Sequence, residues 1–157
     1  TMGDLAEAKL AVEAAKTTGL PVVGCMCFDC GAERDRTMMG VTPEQAAQGL
    51  ADAGADVVGA NCGQGIDGYI AIGERLVAAS DRPVWIKANA GIPQVVGGDV
   101  FYETTPEQFA ERAKELVDAG VSFIGGCCGT SPEFIAALAH RLSPTASHKT
   151  TSRKPAP

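Results

Sequence analysis

No apolar run in this 157-residue chain approaches the roughly 20 residues that cross a bilayer, and its first residues, TMGDLAEAKL, lack the basic-then-apolar layout of a secretion signal. The expectation is a cytoplasmic protein with no membrane contact. Basic charge is also scarce: 13 Lys and Arg against 19 Asp and Glu leave a net charge of -6. A phosphate backbone is bound by displacing counterions with a basic surface, so nucleic acid is not an expected partner. There are only two histidines. His140 follows an apolar helical stretch beside Arg141, where positive charge suits a helix end, and His148 lies in the tail; neither is placed for catalysis. Aromatics make up 5% of the residues, and Trp85 and Tyr69 read as packing side chains.

What the chain does have is apolar content, 45%, enough for one domain, and six cysteines. Six would suit three disulfides in a secreted chain. Clustered and without an export signal, they point instead to reduced thiols or metal ligation.

Apolar, β-rich runs recur at LPVVG (20–24), ADVVGA (55–60), PVWIKA (83–88) and VSFIGG (121–126), separated by amphipathic helical stretches. Thr42-Pro43-Glu44-Gln45 and Thr105-Pro106-Glu107-Gln108 each supply an N-cap threonine, a proline at the first helical position and a glutamine placed for a capping box. Ser131-Pro132-Glu133 begins a third helix in similar fashion. Helices are also expected from Asp4 to about Thr17 and from about Asp67 to Ala79, and Gly54 and Gly120 stand where helices should stop. An internal echo strengthens the pattern: DAGADVVGANC (52–62) matches DAGVSFIGGCC (118–128).

Regularly spaced strands, apolar on both faces, imply a parallel α/β sheet covered by helices. A doubly wound sheet and a (β/α)8 TIM-type barrel both fit, but four strands are about half of a barrel of around 250 residues. Residues 1–142 are therefore expected to form about four βα units, the C-terminal half of a barrel, and 143–157 a disordered tail rich in Ser, Thr and Pro. A half-barrel leaves strand edges and an apolar inner wall open, so an N-terminal half or self-association is expected to cover them.

The echo places Cys62 at the end of one strand and Cys127 and Cys128 at the end of the strand two βα units later. In βα folds the carboxyl ends of strands carry the chemistry, so the three thiols are expected on one rim. Neighbouring strand residues point to opposite faces, but Gly125, Gly126 and Gly129 free the backbone to turn both sulfurs of the vicinal pair to one point. Three thiolates with no obvious fourth protein ligand suit a Zn2+ with an open vertex, and zinc ligation removes the thiol proton that limits sulfur nucleophilicity. Alkyl transfer to sulfur follows from that chemistry.

GANC (59–62), GGCCGTSPEFIAAL (125–138), RTMMGVTPEQ (36–45) and KANAGIP (87–93) together resemble the zinc-binding segments of the homocysteine S-methyltransferase family, over Thr1 to about Leu142. The resemblance implies that Cys62, Cys127 and Cys128 hold zinc, that homocysteine is methylated to methionine, and that Asn61 and Asn89 lie near the substrate. It also implies a methyl donor, for which relatives use methylfolate through a corrinoid, S-methylmethionine or betaine. The family's early acidic residues that hold the substrate amine would fall ahead of Thr1. A noncatalytic zinc-binding partial barrel or subunit that needs a partner half is the second reading.

Relatives tend to show a threonine and an acidic residue at Cys27 and Cys30. The C-x-C-x-x-C run of Cys25, Cys27 and Cys30 reads first as buried inert thiols, then as a rim thiol that modulates the site, and last as a second metal cluster. The glycines of GQGIDG (63–68) offer a weak phosphate cradle ahead of a helix, in an α/β enzyme whose cysteines merely pack. Lys87 suits either a substrate carboxylate or a buried ion pair.

Overall fold

The computed structural model describes residues 1–143. The tail expected to be disordered therefore lies, apart from Ser143, outside the described residues, as does His148.

The capping signals decide where the helices begin. Asp4 Oδ1 accepts from the backbone amides of Ala6 and Glu7 and starts α1, Leu5–Lys16. The two Thr-Pro-Glu-Gln sites form full capping boxes at the heads of α2, Pro43–Asp52, and α4, Pro106–Asp118. In α3, Gly68–Ala79, the preceding Asp67 makes no capping bond; its carboxylate instead pairs with Arg112 of α4. The third expected cap also differs. Ser131, ahead of α5 (Pro132–Leu142), donates its hydroxyl to Glu133 and caps no backbone amide.

Four parallel strands, β1 Val23–Met26, β2 Val57–Cys62, β3 Val84–Ala88 and β6 Phe123–Gly126, pair in the order β1-β2-β3-β6. Each lies within or just beyond an apolar run. β1 starts later than its run because Leu20 is exposed and Pro21 has no amide to donate, while the Val22 amide goes to Asp56 Oδ2. Between β3 and α4 stands a hairpin that the apolar periodicity did not reveal, β4 Gln94–Val96 with β5 Asp99–Phe101. Its turn is Gly97-Gly98, both at positive φ, as a two-residue hairpin turn requires.

The strand order never reverses, and successive helices pack in chain order from α1 to α5. Right-handed crossovers in an unreversed order put every helix on one face; a doubly wound sheet reverses and uses both. The wall is thus of barrel type, four strands long. On its helix face, register partners Met26, Ala60 and Ile86 are fully buried under the helices. On the other, Cys25, Gly59, Trp85 and Phe123 share one layer, and Asn61, Lys87 and Gly125 the next. Phe123 is 48% exposed there. Trp85 packs as expected, half-buried on this open face against Phe123, with ring centroids 5.8 Å apart. Tyr69 packs too, 1% exposed.

Candidate metal centre

Cys62, Cys127 and Cys128 come together at the carboxyl ends of β2 and β6. Cys62 sits at φ 70°, a left-handed backbone uncommon for a side-chain-bearing residue, so the strand's alternation breaks where the thiol is needed. Beyond β6, the chain stays tied to the end of β3: the Cys127 amide donates to Ala88 O at 2.8 Å and the Ala90 amide to Cys128 O at 2.9 Å. The three sulfurs lie within 4.8 Å of one another, with Cys127 Sγ and Cys128 Sγ 4.0 Å apart. Zn–S bonds of 2.3 Å at tetrahedral angles demand sulfurs about 3.8 Å apart. The cluster fits a metal ion with only small adjustment.

Gly129 closes the loop. It has φ 78°, and a Cβ there would stand 2.4 Å from the Tyr102 ring, so the tyrosine that follows β5 packs flat on the vicinal pair's own turn.

Both asparagines serve the sulfurs directly. Asn89 Nδ2 lies 3.6 Å from Cys62 Sγ and donates to Gly63 O at 2.7 Å, while its Oδ1 accepts the Cys128 amide at 3.0 Å. It therefore ties the β2 ligand to the β6 pair. Asn61 Nδ2 lies 3.8 Å from Cys127 Sγ and donates to Thr1 Oγ1. Asn61 Oδ1, buried, has no partner among the described residues. Tyr69 donates its hydroxyl to Asn61 O at 2.7 Å and, through burial, holds its proton far above the ordinary phenol value. Sequence reasoning took Tyr69 as a packing side chain and did not single out Tyr102; only the three-dimensional approach to Asn61 and Gly129 brings them to the site.

The vicinal thiols titrate apart. Burial pushes Cys127 up, but N–H donation from Asn61, the Cys128 amide and the adjacent thiols outweigh it and bring the value below that of a free thiol. Cys128 goes up, chiefly from the charge on Cys127.

The C-x-C-x-x-C run forms no such cluster: among the described residues, only Cys62, Cys127 and Cys128 meet as a potential ligand group of three. Cys25 is buried on β1, and burial raises its pKa. Cys27 and Cys30 are half-exposed, contrary to the reading of all three as buried. Burial is still the main cause that pushes Cys27 up to about 11, while hydrogen bonding to Asp29 raises Cys30. Two of the three GQGIDG glycines have packing reasons, since Gly63 abuts the Tyr69 hydroxyl and Gly65 the Gly91 backbone, whereas a Cβ at Gly68 would meet open space.

A singly wound parallel β/α wall with a thiol triad on its carboxyl rim defines a barrel-type domain built around a potential metal site. The family model described as Homocysteine S-methyltransferase matches residues 1–142, and the chain belongs to that family. It is 34% identical to betaine–homocysteine S-methyltransferase 1 of Rattus norvegicus over 155 residues, which cover 88% of this chain and 37% of that protein. It is 33% identical to the S-methylmethionine–homocysteine S-methyltransferase BHMT2 of Mus musculus, covering 88% of this chain and 42% of that one. The chain thus spans well under half the length of these curated relatives. In fold it resembles the homocysteine methyltransferase MmuM of Escherichia coli in its apo form, with a TM-score of 0.69 at 21% identity, over 90% of this chain and 48% of that one. The metallated form of the same enzyme gives a TM-score of 0.68 at 20% identity, over 89% and 42%. No helix among the described residues is long and apolar enough to cross a membrane.

Proposed function

We propose that this chain is the zinc- and homocysteine-binding half of a methyltransferase barrel that converts homocysteine to methionine. The observation that carries the reading is the convergence of Cys62 with Cys127 and Cys128 on one rim. A zinc ion held by the three thiolates would leave one vertex for a substrate sulfur and favour that sulfur's deprotonated form. In the reaction, the homocysteine sulfur loses its proton and its lone pair forms the new S–CH3 bond, while the bond from methyl to donor breaks and the donor keeps its electron pair.

The chain's own residues prepare that step. Asn89 holds the two strand ends in register, and Asn61 donates toward Cys127, so both act on the sulfurs from behind. The unpartnered Asn61 Oδ1 is the atom of this pair left to accept from an incoming substrate N–H. Betaine and S-methylmethionine are the donors in the relatives' names; a methyl-corrinoid or methylfolate is the alternative class for this chain.

The open inner face favours the second reading, that the isolated chain binds zinc but needs a complementary half to turn over. The test is metal analysis with activity. About one zinc per chain, lost in Cys62→Ser, is expected, with methionine formed from homocysteine only when a complementary half is added. Well-folded protein that takes up no zinc would end the proposal.

A further inference from the structure

Of the polar side chains near the rim, Lys87 turns away from it: its Nζ lies 4.9 Å from the centroid of Trp85, two residues back along β3. Tyr69 does the opposite and reaches the rim from the helix layer. It stands at the start of α3, 1% exposed, with its own amide donating to Ile66 O and its hydroxyl against the turn of Asn61, Cys62 and Gly63.

That turn is the unusual piece of backbone at the site. Cys62 and Gly63 follow one another at φ 70° and 67°, and left-handed backbone is disfavoured at a residue with a Cβ unless its surroundings hold it there. Three successive carbonyls show what holds it. Asn89 takes two of them, its amide donating to Cys62 O at 3.2 Å and its side chain to Gly63 O at 2.7 Å. The third, Asn61 O, belongs to the peptide that enters Cys62. The β1–β2 ladder ends at Met26 and Ala60, one residue short of it, and the Tyr69 hydroxyl takes it at 2.7 Å.

Space is as tight as the bonding. A Cβ at Gly63 would stand 2.7 Å from the hydroxyl and 2.9 Å from the ring, so the tyrosine also walls the turn. Phenylalanine would fill nearly the same volume. What the hydroxyl adds is a donor for a buried carbonyl, which is costly to leave unpaired and free to swing once its bond is gone.

We propose that Tyr69 is a positioning residue of the metal centre: through Asn61 O, its hydroxyl holds the left-handed turn that aims the Cys62 thiol at Cys127 and Cys128. The inference rests on the zinc reading above and names the residue that sets the geometry of its β2 ligand.

Cobalt(II) substitutes for zinc in thiolate sites, and the strength of its sulfur-to-metal charge-transfer band counts the bound thiolates. Metal-free wild type, Tyr69→Phe, Cys62→Ser and Leu76→Val are titrated with Co2+, while circular dichroism and urea midpoints record their folding. Leu76 is buried two turns further along α3, so its variant loses core packing without touching the Asn61 carbonyl. Wild type should show three thiolates. Tyr69→Phe should fold, bind about 10–100-fold more weakly and lose about a third of the band, as Cys62→Ser does. Leu76→Val should keep the full band however far its midpoint falls. A full band with wild-type affinity in Tyr69→Phe, or an equal loss in Leu76→Val, would overturn the proposal. Should Tyr69→Phe not fold, Gly63→Ala carries the test, since its methyl displaces the hydroxyl: loss of one thiolate is expected, and a full band refutes the role. Wild type that gives no band removes the metal-site reading and this role with it, an outcome distinct from a band that Tyr69→Phe leaves unchanged.

Discussion

Asn89 does the most at the scale of one residue. A single amide reaches Cys62 Sγ, the Gly63 carbonyl and the Cys128 amide, joining sulfurs that are 65 and 66 positions apart in the chain. Partners behind metal ligands typically govern affinity by about 10–100-fold. Asn89→Ala is therefore expected to weaken zinc binding by about that factor in a competitive chelator titration, while circular dichroism stays that of the wild type. Asn89→Asp should show a smaller loss, because its carboxylate still accepts the Cys128 amide. The family resemblance placed Asn61 and Asn89 near the substrate. That they face the thiols was not legible there, since side-chain direction at a strand end depends on how the backbone leaves the sheet.

Between elements, the helix layer is pinned where α2 and α3 meet. Arg75 on α3 makes a forked pair with Glu44 at the head of α2, at 2.6 and 2.9 Å, and reaches Asp35 at 2.6 Å. These bonds lower the Glu44 pKa to about 2 from an ordinary 4.5. A carboxylate held low in the folded state stabilises it above the unfolded pKa and loses that contribution as pH falls through the folded value. Stability should therefore decline between about pH 4.5 and 2 by something under ~1 kcal/mol from this group, since the pair is half-exposed. In Arg75→Met that part of the decline should be missing from urea midpoints measured across the same range. An unchanged profile would remove the pin from the account.

At the same scale, the helices were the easiest elements to read. Both threonine capping boxes formed as their sequence predicts, because a capping box is a local bargain within four residues. Ser131 failed at the same task because the glutamate two residues on competes for its hydroxyl. The β4–β5 hairpin escaped notice although Val95-Val96-Gly97-Gly98-Asp99-Val100 carries a turn signal, because its strands are three residues each and exposed throughout, without the buried alternation that marks a strand.

For the whole molecule, a metal at the rim would bridge β2 and β6, which do not touch because β3 lies between them. Ions bound only by the folded state stabilise it by mass action, about 2.7 kcal/mol at a hundred times the dissociation constant. Saturating zinc should raise the melting temperature of the chain by roughly 5–15 °C, and Cys62→Ser should show almost none of that rise. A shift of equal size in both proteins would mean that zinc acts elsewhere.

Read alone, the sequence determined the helix starts, the parallel β/α order and the identity of the three thiols, because caps, apolar runs and an internal repeat are local patterns that survive in one dimension. It chose a half-barrel over a doubly wound sheet on strand count alone, and left open where Lys87 points and what the asparagines touch. Those were decided only by the folded sheet. Strand order sets which faces are covered, and the backbone's exit from each strand aims the side chains that meet at the rim.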